Sequence, residues 1–340
     1  MPSPRQDLDQ IPQPDLRNAI DPMFHAFLAK QQNPEPILLA LQLASRLSEA
    51  AFPVFHAIIT QASMLKHQES EQGKSGKSLL SYPEPLLTLT RAQRNMVGGF
   101  LLFYIVANLD IVSSDEVKGS TKGMSTAEGL FEDRGTVPFR CEIAINKFNL
   151  DRLRDAYDIN DLPLYLWLSL RLATVLVHEL THCVIYAAKR SEVGLSGYTY
   201  FPERSADEGF LGSAKCSEIG LELEKRLFDG LLEPLPKLGS MVYHFAGRPS
   251  FIEGPLYVHD WPNPDHMRGY EGAALPNTVR EGYSIPESYE IWPVDFDHLA
   301  KLFQEDFWEG FERMSREQEI EDPLILLRFP MEKKRSISSY

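Results

Sequence analysis

The chain has few cysteines and no surplus of positive charge. Only Cys141, Cys183 and Cys216 occur among 340 residues, and they have neither the C-x-x-C spacing of a zinc ribbon nor the density of a disulfide-stapled domain. Acidic residues number 48 against 34 basic ones, which gives a formal net charge of −14. Nucleic acid and anionic membrane surfaces are therefore not expected as partners.

Targeting and membrane signals are also missing from the sequence. No apolar signal-peptide core follows the N-terminal residues, and the chain contains no Asn-x-Ser/Thr sequon. The apolar run 96–107 is short, and the run 162–177 is interrupted by Pro163 and Arg171, whereas a membrane span needs roughly 20 apolar residues. The sequence predicts a cytoplasmic protein without a membrane segment, whose cysteines are reduced thiols.

Hydrophobic residues make up 43% of the chain, which is enough for a packed core, and most of them recur with helical spacing. Helices are predicted over 36–66, 85–112, 161–188, 213–229 and 295–316, the first with a kink or a break at Pro53. The stretch 113–137 is predicted to be a long loop, and the alternation over 139–145 predicts a strand. The pattern is typical of an α+β fold that is predominantly α-helical, with a small sheet.

The segment His178-Glu179-Leu180-Thr181-His182 carries the clearest chemistry. Its two histidines are four residues apart, so on a helix their imidazoles lie on one face and can bind one metal ion. Zinc lowers the pKa of a bound water from about 15.7 to about 7, and Glu179 can then take the water's proton. H-E-x-x-H also occurs by chance as a structural cluster. The apolar helix around it favours a metal, because these groups are costly to bury without a partner.

A catalytic zinc needs a third protein ligand and an open position. The extension H-E-x-x-H-x-x-G-x-x-H is absent, because Ile185 and Ala188 stand where glycine and histidine would be. Glu218 and Glu222, four residues apart on a predicted helix, are carboxylate candidates. One could bind the metal while the other accepts a hydrogen bond from a ligand histidine. Glu208 is a rival for the third ligand.

This combination resembles a zincin of the gluzincin, thermolysin-like type, in which a glutamate on a following helix completes an H-E-x-x-H zinc site. The resemblance implies a zincin-like metalloprotease core with one zinc ion per chain. It also implies Glu218 as the third ligand, Glu222 as the carboxylate that orients a histidine, and Glu179 as general base and acid. The segments 217–224, 228–230, 292–293 and 303–308 are further similar to uncharacterised filamentous-fungal proteins with the same motif.

The predicted domain organisation follows from changes in composition along the chain. Residues 1–15, rich in proline and polar side chains, are predicted to be a flexible N-terminal arm. Residues 16–340 are predicted to form a single zincin-like domain. Within it, composition divides a helical part over 16–135, a metal-binding core over 136–235 and a C-terminal segment over 236–330.

Peptide hydrolysis also needs a substrate-binding surface and a hydrogen-bond donor for the developing oxyanion. In zincins an edge strand before the motif helix binds extended substrate through its main chain, and the strand over 139–145 is in place for this. An ordinary core strand is the alternative. Tyr243 and His244 are the candidate donors, with Tyr257 and His259 as further candidates, although such aromatics are also common in cores.

The predicted function is therefore a zinc-dependent hydrolase of metallopeptidase type that acts on a peptide or small-molecule substrate. The alternative is a zinc-dependent lyase, cyclase or isomerase in which zinc acts as a Lewis acid on a biosynthetic intermediate. A non-catalytic binding protein on the same scaffold is a third possibility. It leaves Glu179 unexplained, because that residue is not a metal ligand. The sequence does not indicate an oligomeric state.

Overall fold

The architecture comes from a computed structural model that describes most of the chain. The described residues are 11–62, 81–117, 123–128, 140–196, 209–233, 257–262, 280, 283–284, 286–317, 322–331 and 335–338. Most of them are helical, and the strands among them form three small sheets. The prediction of a predominantly α-helical α+β fold is confirmed.

The helices are α1 Pro22–Ala29, α2 Glu35–Ala50, α3 Phe52–Ala62, α4 Arg91–Phe100, α5 Lys147–Asp158, α6 Leu162–Ser196, α7 Ile219–Phe228, α8 Phe296–Lys301 and α9 Glu305–Glu317. A π-helix over Leu101–Val106 continues α4, and a 3-10 helix covers Pro323–Leu327. The strands are β1 Ser81–Tyr82, β2 Leu109–Ser114, β3 Gly123–Glu128, β4 Arg140–Asn146, β5 Phe210–Leu211, β6 Leu231–Glu233, β7 Tyr257–His259, β8 Ser288–Pro293 and β9 Arg335–Ser338.

Helix α6 is the central element of the fold and carries the histidine motif. It contacts α2, α3, α5 and α7, and Asp161 caps its start by accepting a hydrogen bond from the Leu164 N–H at 3.1 Å. The cap was predicted from the sequence. Residues Leu162–Ala188 are long and apolar enough to cross a membrane, but 89% of the apolar window is buried inside the protein. Such burial is typical of a core helix.

Two proline positions explain how these helices begin. Pro163 interrupts the apolar run of the sequence but not helix α6, because it lies in the first turn, where no intrahelical N–H bond is lost. Pro53 likewise lies in the first turn of α3, and the chain bends by 52° between α2 and α3. The kink or break predicted near Pro53 is confirmed as a break, with Ala51 as the residue between the two helices.

The sheet next to α6 has the order β2-β4-β3, with β4 parallel to β2 and antiparallel to β3. The strand predicted over 139–145 is thus confirmed as β4. Of the two interpretations left open for this strand, the ordinary core strand is confirmed and the edge strand is wrong, because β4 is paired on both sides. The edge strands β2 and β3 lie in segments that were predicted as helix and loop. In β2 the buried Leu109 and Ile111 alternate with less buried neighbours, which is the strand period.

The C-terminal part adds an antiparallel sheet of order β6-β7-β8-β9. Its strand β7 contains both Tyr257 and His259. The helix predicted over 295–316 is two helices, α8 and α9, separated by Leu302–Gln304. Trp308 packs into this break, where its indole N–H donates to the Leu302 carbonyl at 2.9 Å.

The N-terminal segment is attached to the same break. The Asp15 N–H donates to the Phe303 carbonyl at 3.0 Å, and the Asp15 side chain accepts from the Glu305 N–H at 2.8 Å. The Gln304 side chain donates to the Gln13 carbonyl. Residues 13–15 therefore belong to the fold, although they were predicted to be part of a flexible arm, and residues 1–10 lie outside the described part.

Candidate metal centre

The two histidines of the motif lie on one face of α6, as the helical spacing requires. The ring centroids of His178 and His182 are 5.1 Å apart. Their side chains are only 15% and 11% exposed. Two imidazoles are therefore held close together within the protein and face the start of α7.

Glu218 reaches both histidines from the N-terminus of α7. It is the N-cap residue, with φ −86° and ψ 98°, and its Oε2 accepts a hydrogen bond from the Leu221 N–H. Its Oε1 lies 3.2 Å from His178 Nε2 and 3.0 Å from His182 Nε2. The positive end of the helix dipole favours a carboxylate here. One oxygen thus caps the helix while the other faces the histidines.

The donor set fits a zinc ion. One ligand atom from each of His178, His182 and Glu218 lies within 4.8 Å of the other two. A tetrahedral zinc ion with bonds of about 2.0–2.1 Å separates neighbouring ligand atoms by roughly 3.3 Å, close to the distances between Glu218 and the two histidines. Two imidazoles and one carboxylate are also a ligand set of catalytic zinc sites, which leaves the fourth position open.

The charges at the centre also favour a cation. The carboxylates of Glu179, Glu218 and Glu224 are all largely buried around two imidazoles, and buried charges need compensation. Burial alone lowers the pKa of His178, but Glu218 and Glu224 raise it by more, to about 10. Burial raises the pKa of Glu218, whereas the two histidines lower it well below its ordinary value. In the absence of a metal ion, a proton on His178 offsets part of the negative charge of these carboxylates. A bound metal ion could take the place of that proton.

The carboxylate that contacts a histidine of the motif from within α7 is Glu224, not Glu222. Glu224 Oε1 lies 2.8 Å from His178 Nδ1. The role predicted for Glu222 assumed that Glu218 and Glu222 share one helical face. Helix α7 begins only at Ile219, so Glu218 lies outside the helix and the four-residue spacing does not apply to it.

Glu222 has a different partner. Its Oε1 accepts a hydrogen bond from the indole N–H of Trp261 at 2.9 Å, and the Lys225 ammonium donates to the Trp261 carbonyl at 2.9 Å. Both bonds fasten the segment that follows β7 to α7. Burial raises the pKa of Glu222, and the neighbouring Lys225 and Trp261 partly oppose this.

Gly220 allows the close approach of α7 to the histidines. A Cβ atom at this position would lie 2.5 Å from His178 Nε2 and 2.6 Å from His178 Cδ2. Any larger residue would therefore displace the imidazole or the helix. Neither Gly220 nor Glu224 was assigned a role from the sequence, although their four-residue spacing within α7 is a signal that could have found them.

Glu179 lies beside the ligands, on the turn of α6 that carries His178. It is 7% exposed, and its negative charge contributes to the raised pKa of His178. Within the described residues no hydrogen bond to its carboxylate is found. A carboxylate next to a candidate metal site, with no donor among the described residues, is available to accept a proton from water.

The remaining candidates divide into two groups. Glu208, Tyr243 and His244 lie outside the described residues. Tyr257 packs with Tyr289 and Ile291, and the buried His259 stacks on Tyr289 with ring centroids 5.9 Å apart. Tyr257 and His259 are therefore packed aromatics of the C-terminal sheet, which was the alternative interpretation.

Comparison with known proteins adds no relative. No protein-family model, curated protein or solved structure matches the chain. The resemblance to gluzincins stays a prediction based on the motif, and the function has to be inferred from the residues of the site.

Proposed function

We propose that this protein is a zinc-dependent hydrolase of metallopeptidase type. The observation that carries the proposal is the meeting of His178, His182 and Glu218, whose ligand atoms lie within 4.8 Å of one another. Glu179 stands beside them although the metal does not need it as a ligand. This combination of three ligands and a spare carboxylate fits metal-assisted hydrolysis.

The roles of the residues follow from their positions. When bound, zinc would polarise a substrate carbonyl and lower the pKa of water at the open position. Glu179 would accept the proton of that water during attack on the peptide carbonyl, and would then donate it to the leaving amine. His178, His182 and Glu218 would hold the ion, and their burial keeps competing water away from it.

A strand for substrate is available next to the motif helix. With β4 in the centre of its sheet, β3 is the antiparallel edge strand, and it contacts α6. Among the described strands, β3 is paired on one side only. An extended peptide could add to its other side through main-chain hydrogen bonds, which is a common mode of peptide recognition. This placement supports a peptide substrate.

The test compares peptide cleavage by three forms of the protein. Wild type, Glu179→Gln and chelator-treated wild type are incubated with a mixed peptide library, and new termini are detected by mass spectrometry. We expect cleavage by wild type, recovery of the treated protein on addition of zinc, and loss of at least about 1000-fold in Glu179→Gln with zinc still bound. Undiminished cleavage by the zinc-loaded Glu179→Gln protein would refute the proposed role of Glu179.

A further inference from the structure

Helix α7 and its N-cap residue Glu218 contact the imidazole of His178 at three points. Glu218 Oε1 lies 3.2 Å from Nε2, and Glu224 Oε1 lies 2.8 Å from Nδ1. Between them, the backbone of Gly220 approaches the ring so closely that a Cβ would come within 2.5–2.7 Å of three ring atoms. One short helix and its N-cap residue thus contact both ring nitrogens of a metal-ligand candidate.

The phase of the helix explains this arrangement. Gly220 and Glu224 are both inside α7 and four residues apart, so they lie on one face, one turn from each other. Glu222, two residues before Glu224, points to another side and bonds to Trp261. The face formed by Gly220 and Glu224 is called the imidazole socket below.

We infer that the imidazole socket fixes the orientation and tautomer of His178, and that Glu224 is a positioning residue of the metal centre. This inference rests on the proposed zinc site. It assigns to this chain's Glu224 and Gly220 a function that neither the motif nor the predicted helix phase indicated.

The chemistry of imidazole gives the reason. A neutral imidazole carries one N–H, and if Nδ1–H donates to Glu224, then Nε2 keeps its lone pair for the metal. The negative charge of the acceptor also makes Nε2 a stronger donor to the ion. Glu224 Oε2 is buried and has no hydrogen-bond partner within the described residues. The hydrogen bond of this carboxylate therefore goes to His178.

Glu222 provides a matched control for Glu224. Both residues lie on α7 and both are 5% exposed, so substitution at either site disturbs the helix and its burial to a similar degree. Of these two residues, only Glu224 contacts a histidine among the described residues. A difference between the two sites in metal binding would thus report the contact with His178 rather than general damage.

The first experiment measures zinc affinity by competition with a chromophoric chelator. The proteins are wild type, Glu224→Leu, Glu224→Gln, Glu222→Leu and Glu222→Gln, with circular dichroism as a check of folding. We expect Glu224→Leu to bind zinc about 10- to 100-fold more weakly than wild type. Glu224→Gln should lose less, because its amide oxygen still accepts from Nδ1. The Glu222 variants should stay within about threefold of wild type.

A second experiment tests the glycine of the socket. Gly220→Ala is compared with Gly310→Ala in α9, where an added Cβ meets nothing within 4 Å. Alanine favours helix more than glycine does, so Gly310→Ala should fold as well as wild type and bind zinc unchanged. Gly220→Ala should bind zinc at least about tenfold more weakly. Its cobalt-substituted form should also show an altered visible spectrum, because the ligand geometry changes.

The outcomes separate this inference from the proposed function. A wild type that binds no zinc would refute the zinc site itself. A wild type that binds zinc, with Glu224→Leu as tight as Glu222→Leu, would overturn the role of Glu224 alone. If Glu224→Leu does not fold, the alanine pair decides, and equal zinc affinities of Glu224→Ala and Glu222→Ala overturn the inference. Unchanged binding by Gly220→Ala would overturn the socket.

Discussion

At the scale of single residues, the glutamates of α7 and its N-cap have different partners because each faces a different side of the helix. Glu218 caps the helix and faces both histidines, Glu222 accepts from Trp261, and Glu224 accepts from His178. Each carboxylate is largely buried, so the free-energy cost of burying its charge depends on the partner that it contacts. A residue's position relative to the start of the helix therefore matters more here than its chemical type.

Glu222 gives a prediction for the pH dependence of stability. Burial raises its pKa above the ordinary value of 4.5 in the folded protein. A raised carboxyl pKa means that the folded state favours the protonated form. The resulting stabilisation is complete below pH 4.5 and is lost as the pH rises through the folded pKa. At neutral pH the buried charge of Glu222 therefore lowers the free energy of unfolding.

Glu222→Gln should remove this destabilising charge while keeping an oxygen that accepts from the indole N–H of Trp261. We expect the metal-free variant to be more stable than metal-free wild type at pH 7, with the difference shrinking as the pH falls towards 4. Urea unfolding across this range measures it. A difference that grows towards acid pH would contradict the raised pKa of Glu222.

The sequence predicted which residues meet at the candidate metal centre, except for the contact of Glu224. Two features, the four-residue spacing of His178 and His182 and the apolar helix around them, predicted a shared metal site. The structure brings these two histidines together with Glu218. The contact with Glu224 was missed because the predicted helix began several residues too early. Helix starts are poorly defined by periodicity, and here the true cap is a glutamate, whereas serine, threonine, aspartate and asparagine are the common caps.

At the scale of elements, α6 positions the site because it is buried along most of its length. Its apolar residues on the remaining faces pack against α2, α3 and α5, while α7 lies against the helix as well. The strands next to it were harder to predict. A short strand such as β2 carries few residues, and its partners β4 and β3 come from later parts of the chain. Single-sequence periodicity contains no information on such pairing.

The packing of α6 can be tested next to the motif. Leu180 is completely buried, so Leu180→Ala should lower the free energy of unfolding by about 2–5 kcal/mol. Leu102 is 53% exposed, and Leu102→Ala should change the free energy of unfolding by less than about 1 kcal/mol. Denaturant unfolding of the metal-free proteins measures both. Equal effects of the two substitutions would mean that α6 is not packed as described.

At the scale of the whole molecule, distant parts of the chain are joined around one core. The first described residues bond to the turn between α8 and α9, and Arg46 of α2 forms ion pairs with Glu305 and Glu312 of α9. Most buried apolar residues from the described N-terminal, central and C-terminal parts form one cluster. These contacts place the N-terminal and C-terminal helices against the same core.

Truncation tests the attachment of the N-terminal segment. A chain that begins at residue 18 loses the bonds of Asp15 and the buried side chain of Leu16, which is 8% exposed. We expect it to be roughly 2 kcal/mol less stable than a chain that begins at residue 11. Thermal and urea unfolding compare the two. Identical stability would show that residues 11–17 do not contribute to the fold.

The most direct test of the central claim is the metal content of the purified protein. Elemental mass spectrometry is applied to wild type, His178→Ala and Glu218→Ala, each prepared without chelators and checked for folding by circular dichroism. The proposed site predicts about one zinc ion per wild-type chain and a near-complete loss in both variants. A folded wild type without metal, or variants that retain a full equivalent of zinc, would contradict it.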